Sequence, residues 1–158
     1  MIGLGANLGD RLATMREAVV RLGRVVTVRA RSRVYETAPQ GKTDQPSFLN
    51  AAVAVECPLA PLELLRALLA IEADLGRIRS EDAERWGPRT IDLDVLWIDG
   101  VVVDDAQLVV PHPRLIERAF ALVPMLEVAR GAVDPRTQAA YVAPHDDSVT
   151  PTDLTLGE

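Results

Sequence analysis

Apolar positions change period several times along the chain, and each change marks an element. Met1-Ile2-Gly3-Leu4-Gly5-Ala6 predicts a short strand, Asn7-Leu8-Gly9 a turn, and Asp10 an N-cap. Leu12, Met15, Val19 and Leu22 then recur at helical spacing until Gly23. Residues 25–35, with Val26, Val28 and Val34 among Arg and Ser, suit one partly exposed strand. Pro39, Gly41 and Pro46 make 37–46 a loop, and Leu49 to Glu56 reads as a buried strand. Pro61 opens an amphipathic helix over about 60–75, with Leu64, Leu68, Ile71 and Leu75 on one face and Gly76 at its end. Residues 76–90 lose all periodicity and predict a long exposed loop, of the kind that is functional or mobile. Ile91 to Ile98 alternates as a strand. Asp99-Gly100 signals a hairpin turn that brings Val101–Val103 back against it. After Pro111-His112-Pro113 the chain reads as helical to about Ala129, with Pro124 in the first turn of a second short helix.

Strands joined by both tight and helical connections predict an α+β domain of the ferredoxin-like kind, a mainly antiparallel sheet covered by helices in α/β/α layers. One domain over 1–142 is expected from 158 residues, followed by a polar, acidic tail, 143–158, that reads as flexible or loosely docked. Asp146, Asp147, Asp153 and Glu158 of that tail account for −4 of the net charge of −6.

Charge then narrows the function classes. An acidic chain argues against a nucleic-acid binder with a broad basic surface, and no apolar run is long enough to span a membrane. A cytoplasmic monomer without nucleic-acid or membrane partners is expected. The lone Cys57 has no disulfide partner or metal-ligand spacing and reads as a small buried thiol. Of 17 basic residues 16 are Arg, and four of them (Arg77, Arg79, Arg85 and Arg89) fall in the loop 76–90 against three acids, a local net of +1. Guanidinium forks bind phosphate bidentately, so this loop suits an anion even though the protein is acidic.

The sharpest chemistry follows that loop. In Ile91-Asp92-Leu93-Asp94-Val95 the two carboxylates sit at i and i+2, on one face of a strand, with Cα atoms roughly 6.5–7 Å apart. Such a pair could be solvated on an outer face. It could equally hold two Mg²⁺ ions at the roughly 3.5–4 Å separation that clamps a transferring phosphoryl group, and the arginines upstream favour that polyphosphate site. The glycines at 3, 5 and 9 miss the dinucleotide spacing G-x-G-x-x-G, so a tight strand-to-helix turn explains them better. His112 between two prolines is fixed and extended, but no metal triad is available to it. Phe48 and Phe120 are core residues by default. Trp86 either stacks on a ligand or anchors its loop.

The run Arg85 to Leu96 closely resembles the 6-hydroxymethyl-7,8-dihydropterin pyrophosphokinases of folate biosynthesis. So do Gly3-Leu-Gly5-Ala-Asn7-Leu-Gly9, Tyr35-Glu-Thr37-Ala-Pro39 with Gly41, Gln45-Pro46-Ser-Phe48-Leu-Asn50 and Val110-Pro111-His112-Pro113-Arg114, in the same order. The resemblance covers about residues 1–128. It implies transfer of the terminal diphosphate of ATP, as co-substrate, to the hydroxymethyl group of the pterin, with release of AMP. By residue matching it implies Asp92 and Asp94 as ligands of two Mg²⁺ ions, and Arg77 and Arg89 as catalytic arginines. It further implies nucleotide and phosphate contacts from Glu72, Arg79, Arg85, Trp86, His112 and Arg118. Phe48 and Phe120 would sandwich the pterin, while Asn50 and the loop from Thr37, Ala38 and Gln40 would read its edge, with Trp86 closing over the substrates. No second folate enzyme is expected to be fused. The alternatives are a metal-dependent phosphohydrolase using the same aspartates and a non-catalytic ferredoxin-like ligand-binding module.

Overall fold

The structure, a computed structural model, describes residues 1–39, 43–78 and 89–157. A six-stranded sheet runs in the order β5 (Asp92–Val95), β1 (Ile2–Ala6), β4 (Phe48–Glu56), β3 (Tyr35–Thr37) and β8 (Val149–Pro151), with β2 (Thr27–Arg31) also pairing with β4. Every pairing is antiparallel. The helices are α1 (Arg11–Leu22), α2 (Pro61–Asp74) and α3 (Ala119–Val128), preceded by a 3₁₀ turn at Leu115–Glu117.

Side-chain alternation divides the core between the two sheet faces. Ile2, Leu4 and Ala6 of β1, Leu49, Ala51 and Val53 of β4, and Leu93 and Val95 of β5 pack with Met15, Val19 and Leu22 of α1 and Leu64, Leu68 and Ile71 of α2. On the other face Ala52 joins Leu96, Leu115, Ala121, Leu122 and Met125 around α3. This is the expected α+β, ferredoxin-like sandwich. Asp92 and Asp94, out of phase with Leu93 and Val95, therefore project on the α3 side of the sheet.

Both major helices begin and end as the sequence requires. The Asp10 side chain accepts from the backbone N–H of Ala13, and Pro61 opens α2 where an N–H has no helical partner. Gly76 follows α2 at φ +88°, a left-handed conformation that suits glycine and turns the chain towards Arg77. No described helix is long and apolar enough to cross a membrane.

Four expectations need correction. Residues 25–35 form two strands, because Ser32 donates its N–H to Ala52 and takes the Ala52 N–H on its own Oγ, interrupting the ladder between β2 and β3. Val101–Val103 does not return against β5: Val103–Asp104 (β6) pairs with Val109–Val110 (β7), and the Leu96 carbonyl just past β5 accepts from His112 instead. Pro124 lies inside α3, not in a first turn. It gives up one helical hydrogen bond, which burial of this apolar helix against β4 outweighs. The tail is not loose: residues 149–151 are the edge strand β8, and Leu156 is buried in the core with α1 and α2.

Candidate active site

The site gathers where β5, β1 and β4 meet the C-terminal end of α2 and the N-terminal end of α3. Register places Asp92 beside Gly5 and Asp94 beside Gly3 on β1, and Gly5 in turn beside Asn50 on β4. A Cβ at Gly5 would lie 2.9 Å from Asn50 Oδ1, so the absence of a side chain there makes room for the amide.

Asp92 is gripped by two guanidiniums. Arg77 Nη1 donates to Asp92 Oδ1, to the Ile91 carbonyl at 3.1 Å and to Glu72 Oε1 at 2.9 Å. Arg89 Nη1 donates to Asp92 Oδ2 at 2.6 Å. Glu72 is 1% exposed, and its Oε1 also accepts the Leu93 N–H at 2.8 Å. The resemblance puts an acid near the nucleotide. Here that acid is bonded to Arg77 and to the β5 backbone at Leu93. Burial disfavours the charge on Arg77, but Asp92, Glu72 and Asp94 outweigh it and hold the guanidinium protonated.

Asp94 is stranded by comparison. Burial, followed by repulsion from Asp92, pushes its carboxyl up to about 7, against the opposing pull of Arg118 and Arg89. A half-buried carboxylate beside a second one is stabilised by a cation. Among the described residues no group of three or more His, Cys, Asp or Glu forms a cation cage. Mg²⁺ does not need one, since it commonly binds through one or two carboxylates together with substrate phosphates. Asp92 and Asp94 fit that requirement.

On the α3 side, burial lowers the pKa of Arg118, whose Nε finds no acceptor among the described residues. Its guanidinium carbon lies 5.8 Å from the centre of the Phe120 ring, within cation–π range. Burial, then Arg118, lowers the His112 pKa to about 4, so the ring is neutral near pH 7. Its Nδ1 accepts the Arg114 N–H at 3.1 Å, which leaves Nε2 to carry the proton.

A second cluster forms at the opening of β3 and β4. Asn50 and Thr37 are both buried, and Asn50 Nδ2 donates to Thr37 Oγ1 at 2.7 Å. Phe48 pairs in register with Thr37 and is only partly buried, as is Phe120, so neither is a closed core residue. Ala38 is exposed. Gln40, Arg79, Arg85 and Trp86 lie outside the described residues.

Sequence reasoning overlooked Asn7 as a site residue. It is 1% exposed, donates from Nδ2 to Gln45 Oε1 and the Pro46 carbonyl, and accepts the Arg89 N–H on Oδ1. Its place in Asn7-Leu8-Gly9 signalled a turn, with nothing to indicate partners 38 and 82 positions away. Arg11, Glu36 and Ser47 form a further unforeseen knot: Ser47 Oγ and Arg11 Nη1 both donate to Glu36 Oε1, at 2.6 and 3.2 Å.

Comparison with known proteins bears on this arrangement directly. Residues 1–130 match the family described as 7,8-dihydro-6-hydroxymethylpterin-pyrophosphokinase. The chain is 51% identical over 130 residues, 81% of its length and 80% of the relative's, to a 2-amino-4-hydroxy-6-hydroxymethyldihydropteridine pyrophosphokinase of Methylorubrum extorquens. It is 45% identical over 140 residues to the Bacillus subtilis protein of the same name, covering 87% of this chain and 82% of that one. A mitochondrial folate synthesis bifunctional protein of Arabidopsis thaliana is 44% identical over 142 residues, 89% of this chain and 25% of the plant protein.

Proposed function

The chain belongs to the 7,8-dihydro-6-hydroxymethylpterin-pyrophosphokinase family, and on that premise we propose that it transfers the terminal diphosphate of ATP to the hydroxymethyl group of 6-hydroxymethyl-7,8-dihydropterin, releasing AMP, in folate biosynthesis. The observation that carries this reading is the pairing of Asp92 and Asp94 on one strand face with Arg77, Arg89 and Arg118 around them. The set combines sites for cations and for a polyanion.

In this reading Asp92 and Asp94 hold two Mg²⁺ ions, which when bound neutralise phosphate charge and polarise the phosphorus under attack. Arg77 and Arg89 stabilise charge on the transferring group. Both are oriented in advance, by Glu72 and Asp92, so little rotamer freedom remains to be lost when the anion arrives. Arg118, its Nε lacking an acceptor among the described residues, is suited to a phosphate oxygen. Neutral His112, with Nε2 protonated, donates a hydrogen bond to the nucleotide without adding charge. Arg79, Arg85 and Trp86 contribute further nucleotide contacts.

The pterin is read by Asn50, paired with Thr37, and by the loop through Ala38 and Gln40, while Phe48 and Phe120 stack on its faces. The pterin hydroxyl then attacks the β-phosphorus of ATP. In this reading the enzyme acts as a cytoplasmic monomer with no nucleic-acid or membrane partner, and its net charge of −6 disfavours binding to nucleic acid through a broad basic surface.

Incubation with MgATP and the pterin tests the reading. AMP should appear in proportion to pterin consumed. Release of ADP, or AMP release indifferent to pterin, would overturn it.

A further inference from the structure

Residues 149–156 lie beyond the stretch that matches the family, yet they are built into the sheet. β8 pairs with β3 in the register Tyr35 with Pro151, Glu36 with Thr150 and Thr37 with Val149. Pro151 has no N–H, and the Val149 N–H is directed to the Asp146 carbonyl. In an antiparallel ladder alternate pairs exchange hydrogen bonds, so Thr150 with Glu36 is the bonded pair of this short strand.

The grip continues at Val34, just before β3. Thr152 donates from its backbone N–H and from Oγ1 to the Val34 carbonyl, at 2.9 and 2.7 Å, and the Val34 N–H donates to Leu154 at 3.4 Å. Arg16 Nε of α1 donates to the Thr155 carbonyl at 2.9 Å, and Leu156, 4% exposed, anchors the end in the core.

The strand so held has only three residues, and without β8 it would be a short edge strand, with few contacts to keep it closed. On its β4 side, Thr37 accepts the Asn50 amide, while Glu36, on the opposite sheet face, accepts from Ser47 just before β4 and from Arg11 of α1. β8 thus braces the strand from which the pterin-reading loop departs.

We propose that residues 149–156 are a positioning segment for the pterin subsite, holding β3 so that Thr37 stays on Asn50. This rests on the reading of Thr37 and Asn50 as the pterin side of the site. The segment touches no substrate. Its effect passes through β3.

Two proteins test it, a chain ending at Ser148 and the full chain carrying Thr150→Pro, which removes the ladder donor and leaves the Leu156 anchor. Each is assayed well below its own melting temperature, with amide exchange followed over residues 34–37. Exchange there should accelerate. The KM for pterin should rise about tenfold, the scale of losing one well-placed hydrogen bond, while kcat and the KM for ATP stay within about twofold. Faster exchange with an unchanged pterin KM would overturn the proposal, as would parallel changes in both KM values and kcat. Should the shortened chain fail to fold, Thr150→Pro decides alone. Asn50→Ala in the full chain keeps the underlying reading separate: an unchanged pterin KM there would remove Asn50 as a pterin contact, whatever Thr150→Pro shows.

Discussion

Asn7 and Arg89 bind each other twice: the Asn7 N–H donates to the Arg89 carbonyl at 3.1 Å, and the Arg89 N–H donates to Asn7 Oδ1 at 2.8 Å. The other end of the same amide reaches Gln45 and Pro46. One buried side chain therefore ties Arg89, which holds Asp92, to Gln45 and Pro46 just ahead of β4. Asn7→Ala removes three hydrogen bonds made by a buried amide to half-buried or exposed partners, each worth about 0.5–1.5 kcal/mol. We expect a clearly lower urea midpoint and reduced turnover. An unchanged midpoint would show that the latch contributes nothing to the folded state.

Glu72 and Arg77 form the most enclosed ion pair described, at 1% and 11% side-chain exposure. Glu72→Ala leaves the Leu93 N–H without its side-chain acceptor and Arg77 with Asp92 as its remaining described carboxylate, so the loss should fall below the about 3–5 kcal/mol of a buried charge left wholly unpaired. Glu72→Gln retains an acceptor and should lose less. Guanidinium unfolding of the two variants measures the difference, and equal losses would contradict the ordering.

Gly5→Ala would place a methyl group 2.9 Å from Asn50 Oδ1 and force that amide off Thr37. The expected result is a pterin KM raised about tenfold, the value of one good hydrogen bond, with the KM for ATP little changed. Steady-state kinetics with each substrate varied in turn decides it. A change confined to ATP would assign the Asn50 side of the site to the wrong substrate.

Asp94 makes the metal-free protein sensitive to pH. Its carboxyl is raised from 3.8 to about 7, so the folded state favours the protonated form. The resulting penalty is absent below the unfolded value, grows as pH rises through this window, and is complete above about 7. Asp94→Asn should therefore melt above the parent at pH 8 in the presence of a chelator. The advantage should shrink towards pH 4, and turnover should be lost throughout. Equal melting temperatures at pH 8 would mean that the carboxylate is well solvated.

The fold was legible where one element's period and caps decided the matter. The stripe Leu64, Leu68, Ile71 ending at Gly76 gave α2 almost to the residue, and Asp10 marked the start of α1. What escaped depended on distant partners. Ser32 interrupts a valine-rich strand only because Ala52 lies opposite, and His112 takes the Leu96 carbonyl at the point where a hairpin strand was expected. An acidic tail looked loose because its few anchoring groups, Thr152 and Leu156, have no local pattern. At the site, the alternation of Asp92 and Asp94 with Leu93 and Val95 was enough to place two carboxylates on one face. It could not show that Glu72 would turn inward to Arg77, or that Asn7 would join two loops.

The central claim is diphosphate transfer to the pterin by attack on the β-phosphorus, and the fate of labelled phosphorus tests it most directly. With ATP carrying label at the β position, Mg²⁺ and 6-hydroxymethyl-7,8-dihydropterin, the label should move into the pterin product one-for-one with unlabelled AMP. Label retained in ADP, or released as free diphosphate at the same rate without pterin, would contradict the account.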